Sequence, residues 1–123
     1  LSIGAWSTAV LNLNNLRDID NDAQMQKRTM VVKLGYERGK LYHVFLVSVG
    51  LATWFFTVYL LAFNTYNYWL FAALLPSLGF VLHLKRVLDN QTPASLDPEL
   101  KKVALLTFFS SILFAILLNF APH

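Results

Sequence analysis

The chain has 123 residues, of which 56% are hydrophobic and 15% aromatic, and it contains no cysteine. This composition is too apolar for an ordinary soluble domain and is typical of a membrane protein. The formal net charge is +3, but the basic residues follow membrane topology, so a nucleic-acid-binding protein is not indicated. Because the chain starts inside an apolar run without an initiator Met, we expect a C-terminal fragment of a longer protein and no signal peptide.

Four apolar segments are predicted to be membrane helices. Residues 1–16 become amide-rich towards their end, which is typical of a helix that is leaving the membrane. Residues 41–63 carry no charge and measure about 34 Å as a helix, enough to cross a hydrocarbon core of about 30 Å. Residues 68–84, which Pro76 should kink, and residues 103–121 complete the set. The predicted fold class is all-α, a polytopic transmembrane helix bundle.

The charged residues lie in two loops, 17–40 and 85–102. Counting spans places both loops on one side of the membrane and the 64–67 hairpin on the other. All ten Lys and Arg lie on the first side, which the positive-inside rule makes cytoplasmic. We therefore predict a multi-pass protein of the cell (inner) membrane, with loop 17–40 in the cytoplasm. The aromatic residues expected to form a belt at the opposite interface are Tyr59, Tyr66, Tyr68 and Trp69.

Glycine and proline give more local predictions. Gly35 is predicted to end a short helix that runs through Val31 and Val32. Asp97, followed by Pro98, is predicted to be the N-cap of the last helix. Gly50 and Gly79 are expected to allow close approach between membrane helices.

The most polar part of the chain follows the first span. In a helix, Asn15, Asp18 and Asp22 fall at i, i+3 and i+7 on one stripe, with Asn14 beside them and Asp20 on another face. Two carboxylates about 6 Å apart repel by roughly 3 kcal/mol at an effective dielectric of 20, which favours a bound cation. Oxygen ligands without His or Cys suit Mg²⁺ or Ca²⁺ better than zinc or copper.

Basic residues flank these acids and leave several interpretations open. Lys27 and Arg28 have the charge needed to bind phosphate oxygens. Alternatively, the acids belong to a solvated helix and pair with Arg17, Lys27 and Arg28. A hypothesis of another class is an ion-coupled transporter or a structural membrane subunit, in which the acid stripe binds a coupling ion or caps a helix.

Two histidines lie near the cytoplasmic ends of predicted spans, His43 after the start of one and His83 before the end of the next. An intramembrane histidine can relay protons or bind a metal ion. We favour the simpler interpretation that both are hydrogen-bonding residues.

The pattern N-N-x-R-D-x-x-x-D, followed by K-R-T and V-x-L-G, resembles the second aspartate-rich motif of the UbiA-type intramembrane prenyltransferases. The segment P-A-S-L-D-P-E-L-K-K is also similar to that family. Within the family, the double Asn and the following Arg are most similar to the branch that uses 1,4-dihydroxy-2-naphthoate in menaquinone biosynthesis. The resemblance implies that residues 1–123 are the C-terminal part of one domain, a bundle of roughly nine helices. The missing N-terminal half would carry the first motif.

The resemblance also implies substrates and residue roles. The substrates are a polyprenyl diphosphate and an aromatic acceptor, with 4-hydroxybenzoate or homogentisate as alternative acceptors. Asp18 and Asp22 would be catalytic and bind Mg²⁺, with Asn15 where relatives often place a further acid. The side chains expected to bind the diphosphate are Lys27, Arg28, Arg17 and Asn14. Gln26 departs from the family, since relatives often carry Gly there.

Overall fold

The computed structural model describes residues 1–119, and within them every regular element is helical, as predicted. The α-helices are α1 (Ser2–Arg17), α2 (Ile19–Gln24), α3 (Met30–Leu34), α4 (Tyr36–Asn64), α5 (Ser77–Asp89) and α6 (Asp97–Asn119). Two 3₁₀ segments, Tyr68–Leu74 and Pro93–Leu96, precede α5 and α6.

Three of the predicted spans are confirmed by helices that are long and apolar enough to cross a membrane. These helical stretches are Tyr36–Asn64, Tyr68–Asp89 and Pro93–Asn119. Residues 120 and 121, predicted to end the last span, lie outside the described part of the chain. Helix α1 ends one residue beyond the predicted boundary.

The local signals at Pro76 and Gly35 are confirmed. Pro76 separates the 3₁₀ segment from α5, because proline removes the amide hydrogen that a continuous helix would need. Gly35 ends α3 with a φ of 83°, a left-handed conformation that glycine adopts without a Cβ clash. Loop 17–40 therefore contains α2, α3 and the first turn of α4.

The predicted bounds of the second loop are wrong. Helix α5 continues to Asp89 and α6 begins at Asp97, so only residues 90–96 connect them. Long basic side chains allow a membrane helix to extend past the hydrocarbon core. The predicted cap is also misplaced, because Asp97 is the first residue of α6 and its carboxylate bonds Arg17 and Lys101.

Close packing of aromatic side chains holds α1, α4 and α5 together. Trp6 is fully buried, and its ring stacks on Phe80 at a centroid distance of 4.3 Å. A Cβ at Gly50 would lie 2.2 Å from the indole of Trp6, and one at Gly79 would lie 2.6 Å from Leu106. Both glycines therefore permit close helix approach, as predicted. Such packing matters because lipid tails are as apolar as the core, which removes most of the hydrophobic drive for association.

The outer surface of the bundle is apolar. Large side chains that are about half exposed include Phe55, Phe56, Phe108 and Phe109. The four predicted belt residues, Tyr59, Tyr66, Tyr68 and Trp69, are each more than half exposed. Such a surface suits lipid rather than water, and together with the three apolar helices it identifies a membrane protein.

Candidate functional site

The polar motif lies where α1 gives way to α2, and it is not a single helix. Helix α1 ends at Arg17, and Asp18 has φ −96° and ψ 9° before α2 starts at Ile19. The amide of Asp22 nevertheless donates to the carbonyl of Asp18 at 2.9 Å. The predicted stripe is thus interrupted at Asp18, while the two acids remain one turn apart.

The turn after α2 has a backbone conformation that glycine adopts more easily than Gln26 does. Gln26 has a φ of 55°, in the left-handed region where glycine is favoured and other residues are strained by roughly 1 kcal/mol. This turn reverses the chain, so that the amide of Lys27 donates to the carbonyl of Asp22 at 2.9 Å. A glycine would fit the same turn without strain.

Asp22 and Lys27 form one of two acid–cation pairs in the motif. The Lys27 Nζ donates to Asp22 Oδ1 at 2.8 Å. The Asp22 side chain is 7% exposed, whereas that of Lys27 is 57% exposed. Hydrogen bonding to Asp22 raises the pKa of Lys27 above its usual value. A buried carboxylate is therefore neutralised by a cation that stands in solvent and can leave.

Asp18 and Arg17 form the second pair. The Nε and Nη2 atoms of Arg17 donate to the two carboxylate oxygens of Asp18, both at 2.8 Å. Its Nη1 donates to Asp97 Oδ1 and its Nη2 to Asn14 Oδ1, each at 3.0 Å. Hydrogen bonding to Arg17 holds the pKa of the Asp18 carboxyl below its usual range. Four of the five guanidinium N–H groups are thus used, which ties the end of α1 to the start of α6.

These residues form the acid–cation cluster, defined as Asn14, Arg17, Asp18, Asp22 and Lys27. The pairing of its acids with Arg17 and Lys27 is the pairing expected of a solvated juxtamembrane helix. Asp20 is exposed and Asp22 is buried, which agrees with the prediction that the two acids face different directions.

Two predicted site residues lie outside the cluster. Asn15 lines a small separate groove of about 120 Å³. Its other lining residues are Thr8, Leu11, Asn12, Met30 and Tyr42. Arg28 is exposed beside Lys27. The predicted set is therefore brought together only in part.

The donor set of the acid–cation cluster fits a hard divalent cation in part. Within residues 1–119, no group of three or more His, Asp or Glu side chains is arranged to hold a metal ion. Asp18 and Asp22 supply carboxylate oxygens, which Mg²⁺ prefers, and Mg²⁺ sites usually combine one or two carboxylates with water and substrate phosphate. The cluster thus supplies the carboxylate ligands of such a site, whereas water and substrate phosphate would supply the others.

A second polar group, which we call the histidine chain, was not predicted. The Nε2 atoms of His43 and His83 lie 2.8 Å apart, and His83 Nδ1 lies 2.9 Å from Glu99 Oε2. All three residues are buried. Both histidines are hydrogen-bonding residues, as we favoured, but they bond to each other and link α4, α5 and α6. The sequence contained one signal of this contact. His43 lies just after Lys40 and His83 lies just before Lys85, so the two histidines are at similar depths in antiparallel spans.

Further hydrogen bonds connect the N-terminal part of α4 to the end of α5 and the segment that follows it. Lys40 is 2% exposed, and its Nζ donates to the carbonyls of Leu88 and Asn90 at 3.2 and 2.8 Å. The hydroxyl of Tyr36 donates to Asn90 Oδ1 at 2.7 Å. The two charged loops thus form one connected end of the bundle.

Comparison with protein families gives a match over nearly the whole chain. Residues 1–112 match the UbiA prenyltransferase family. No solved structure matches the chain.

Curated relatives agree with this match. The chain is 36% identical over 113 residues to the 1,4-dihydroxy-2-naphthoate octaprenyltransferase of Haemophilus influenzae. It is 33% identical over 118 residues to the protein of the same name from Escherichia coli. Each alignment covers 92% of this chain and 36% of the relative, so the chain spans about a third of their length. A third protein of that name, from Mycobacterium leprae, is 46% identical over 54 residues, which are 43% of this chain and 18% of the relative.

Proposed function

This chain belongs to the UbiA prenyltransferase family, and we propose that the protein containing it transfers a polyprenyl group from a polyprenyl diphosphate to 1,4-dihydroxy-2-naphthoate. The product is demethylmenaquinone. The observation that carries this proposal is the similarity, over 92% of the chain, to two proteins named as octaprenyltransferases for that acceptor.

The acid–cation cluster supports the proposal through its chemistry. Asp22 is buried and Asp18 lies one turn before it, so two carboxylates stand at one end of the bundle. We assign both to Mg²⁺ binding, with the remaining ligands from the diphosphate, water and the first motif elsewhere in the protein. When bound, Mg²⁺ supplies positive charge that neutralises the leaving diphosphate.

Lys27 is the residue of the cluster that can change partners. The side chain of Lys27 is 57% exposed and holds the buried Asp22 by one hydrogen bond, so Lys27 can reach another anion provided that a different cation then neutralises Asp22. When the diphosphate binds, Lys27 moves from Asp22 to a phosphate oxygen, which leaves the carboxylate free for the metal. Arg28, next in the chain, adds a second cation for the same group.

Arg17 and Asn14 have a positioning role in this proposal. Four guanidinium N–H groups of Arg17 are engaged within the protein, so Arg17 orients Asp18 rather than binding substrate directly. Asn14 accepts one of these bonds. Asn15, in its separate groove, is the least supported of the predicted metal ligands.

The charge distribution supports a cytoplasmic site. All ten Lys and Arg lie in residues 17–40 and 85–102, the connected end of the bundle that carries the acid–cation cluster. Under the positive-inside rule this end faces the cytoplasm of the inner membrane. The diphosphate is thus bound on the cytoplasmic side, while its isoprenoid tail stays in lipid.

The test is a turnover assay of the full-length protein in membranes, with a polyprenyl diphosphate and each of three acceptors. We expect product with 1,4-dihydroxy-2-naphthoate, and loss of turnover when Mg²⁺ is chelated and recovery when it is restored. Little product with 4-hydroxybenzoate or homogentisate is the matching control. Preference for either of these would contradict the proposed acceptor, and turnover that is unaffected by chelation would contradict the metal.

A further inference from the structure

An open groove of about 270 Å³ runs between α5 and α6. Its walls are apolar, and one end is basic. The wall residues are Leu82, Leu105, Leu106 and Phe109, and the basic end carries Arg86 and Lys102. We call this feature the α5–α6 groove.

Helix periodicity places the basic residues at one end of the groove and the apolar residues along the rest of it. Leu82 lies one turn before Arg86 on α5, and Leu105 and Phe109 lie one and two turns after Lys102 on α6. Since the two helices run in opposite directions, both basic residues lie at the same end, that of the charged loops. The apolar walls extend from there towards the middle of the spans. The groove therefore suits a molecule with a polar head and an apolar chain.

The basic end carries an excess of positive charge. Arg86 Nη1 lies 3.6 Å from Glu99 Oε1, and Lys102 binds the same oxygen. The other oxygen of Glu99 bonds His83. With the imidazole neutral, two cations face one carboxylate, which leaves one positive charge in excess. The side chains of Arg86 and Lys102 remain 57% and 44% exposed, so both can bond a further group.

We infer that the α5–α6 groove binds an anionic phospholipid of the bilayer. One acyl chain lies along Leu82, Leu105 and Phe109, and the phosphodiester lies against Arg86 and Lys102. Basic pockets between membrane helices on the cytoplasmic side bind anionic headgroups in this way. The single negative charge of a phosphodiester matches the single positive charge in excess.

A polyprenyl diphosphate matches the groove less well. Its headgroup carries more than one negative charge and needs metal-binding carboxylates, whereas Glu99 is already engaged by three side chains. A helix from the remainder of the protein would meet the excess charge only through an acidic side chain of its own, and with such a helix in the groove the wild-type protein would show no preference for an anionic lipid. The two alternatives give different results in the following test.

The test measures lipid retention on the purified full-length protein by native mass spectrometry. Phosphatidylglycerol and phosphatidylcholine with identical acyl chains are supplied in equal amounts. We expect the wild-type protein to retain phosphatidylglycerol about fivefold more, the preference typical of one added basic contact. The double variant Arg86→Gln and Lys102→Gln should lose that preference. The control, Lys33→Gln and Lys85→Gln, removes two exposed basic residues outside the groove and should keep it.

A second variant tests the apolar wall. Leu105 is 53% exposed, so Leu105→Trp narrows the groove without disturbing the core, and it should lower retention of both lipids. Equal loss in the control variant, or no preference in the wild type, would overturn the inference. Displacement of phosphatidylglycerol by polyprenyl diphosphate would assign the groove to substrate instead. Retention is measured without turnover, so the result is independent of the proposed reaction.

Discussion

The acid–cation cluster and the histidine chain are two polar groups at the same end of the bundle, and both contain a buried carboxylate, but they differ in the exposure of the side chains that bond it. In the cluster, the Lys27 cation stands in solvent and each acid is neutralised by one cation. In the histidine chain, His43, His83 and Glu99 are buried and bonded in series across three helices. One group can exchange partners, and the other cannot.

This difference between the two groups indicates which polar residues are suited to binding and which are suited to stabilising the fold. Lys27 is 57% exposed, so its bond to the buried Asp22 can be exchanged at little cost when another cation takes over the neutralisation of that carboxylate. A buried polar atom that loses its partner costs about 1–3 kcal/mol, because nothing else bonds it. We therefore expect substitutions in the cluster to affect turnover and substitutions in the histidine chain to affect stability.

The largest expected effect is on turnover. Asp22→Asn or Asp18→Asn in the full-length protein should lower kcat by about 10²–10³-fold, because each removes charge that the proposed metal site needs. Asp20→Asn is the matched control, since Asp20 is exposed two residues from both acids. Membrane insertion, measured by fractionation, should be normal in all three variants. Normal turnover of the Asp22 variant would reject the metal site, and equal loss at Asp20 would mean that the wrong face was assigned.

The next effect is on stability. His83→Leu should lower the free energy of unfolding by about 2–3 kcal/mol, because it leaves both His43 and Glu99 Oε2 without their bonds. His43→Leu should cost less, since His83 keeps its bond to Glu99. Unfolding in mixed micelles titrated with a denaturing detergent measures both. Equal costs would show that the histidines act separately rather than as a chain.

A smaller effect is expected where two helices meet. Gly50→Ala should destabilise the protein by about 1–2 kcal/mol, because its Cβ would lie 2.2 Å from the buried indole of Trp6. Gly4→Ala is the control, since nothing lies within 4 Å of a Cβ there. The same unfolding assay should show no loss for Gly4→Ala. A neutral Gly50→Ala variant would mean that α1 and α4 separate easily.

The smallest effect is expected in the turn of the motif. Gln26→Gly relieves a left-handed φ of 55° but gives the unfolded chain more freedom, so the net change in stability should stay below about 1 kcal/mol. Turnover should be retained, because the turn keeps its shape. A large loss of turnover in this variant would give the Gln26 side chain a role that the structure does not suggest.

The spans and several helix ends could be predicted from the sequence because they depend on local properties. A stretch such as 41–63 must be helical in lipid, where every backbone group needs an internal partner. Gly35 and Pro76 act through their own backbone restrictions, so their effects need no knowledge of the rest of the fold.

Features that depend on distant partners could not be predicted. Asp97 has the sequence of an N-cap, but Arg17, which is eighty residues away, takes its carboxylate. The bond between His43 and His83 depends on which faces of α4 and α5 meet, and the sequence shows only that their depths agree. The pairing of Asp18 with Arg17 was one of the interpretations left open, since spacing does not show which partner a carboxylate takes.

The bond from Arg17 to Asp97 connects α6 to the acid–cation cluster. Asp97, the first residue of α6, helps to hold Arg17, which in turn orients the carboxylate of Asp18. A shortened protein that ends before α6 would still display the aspartate-rich signature in any alignment. It would nonetheless lack one of the anchors that set the direction of Asp18, so an intact motif would not by itself identify a working enzyme.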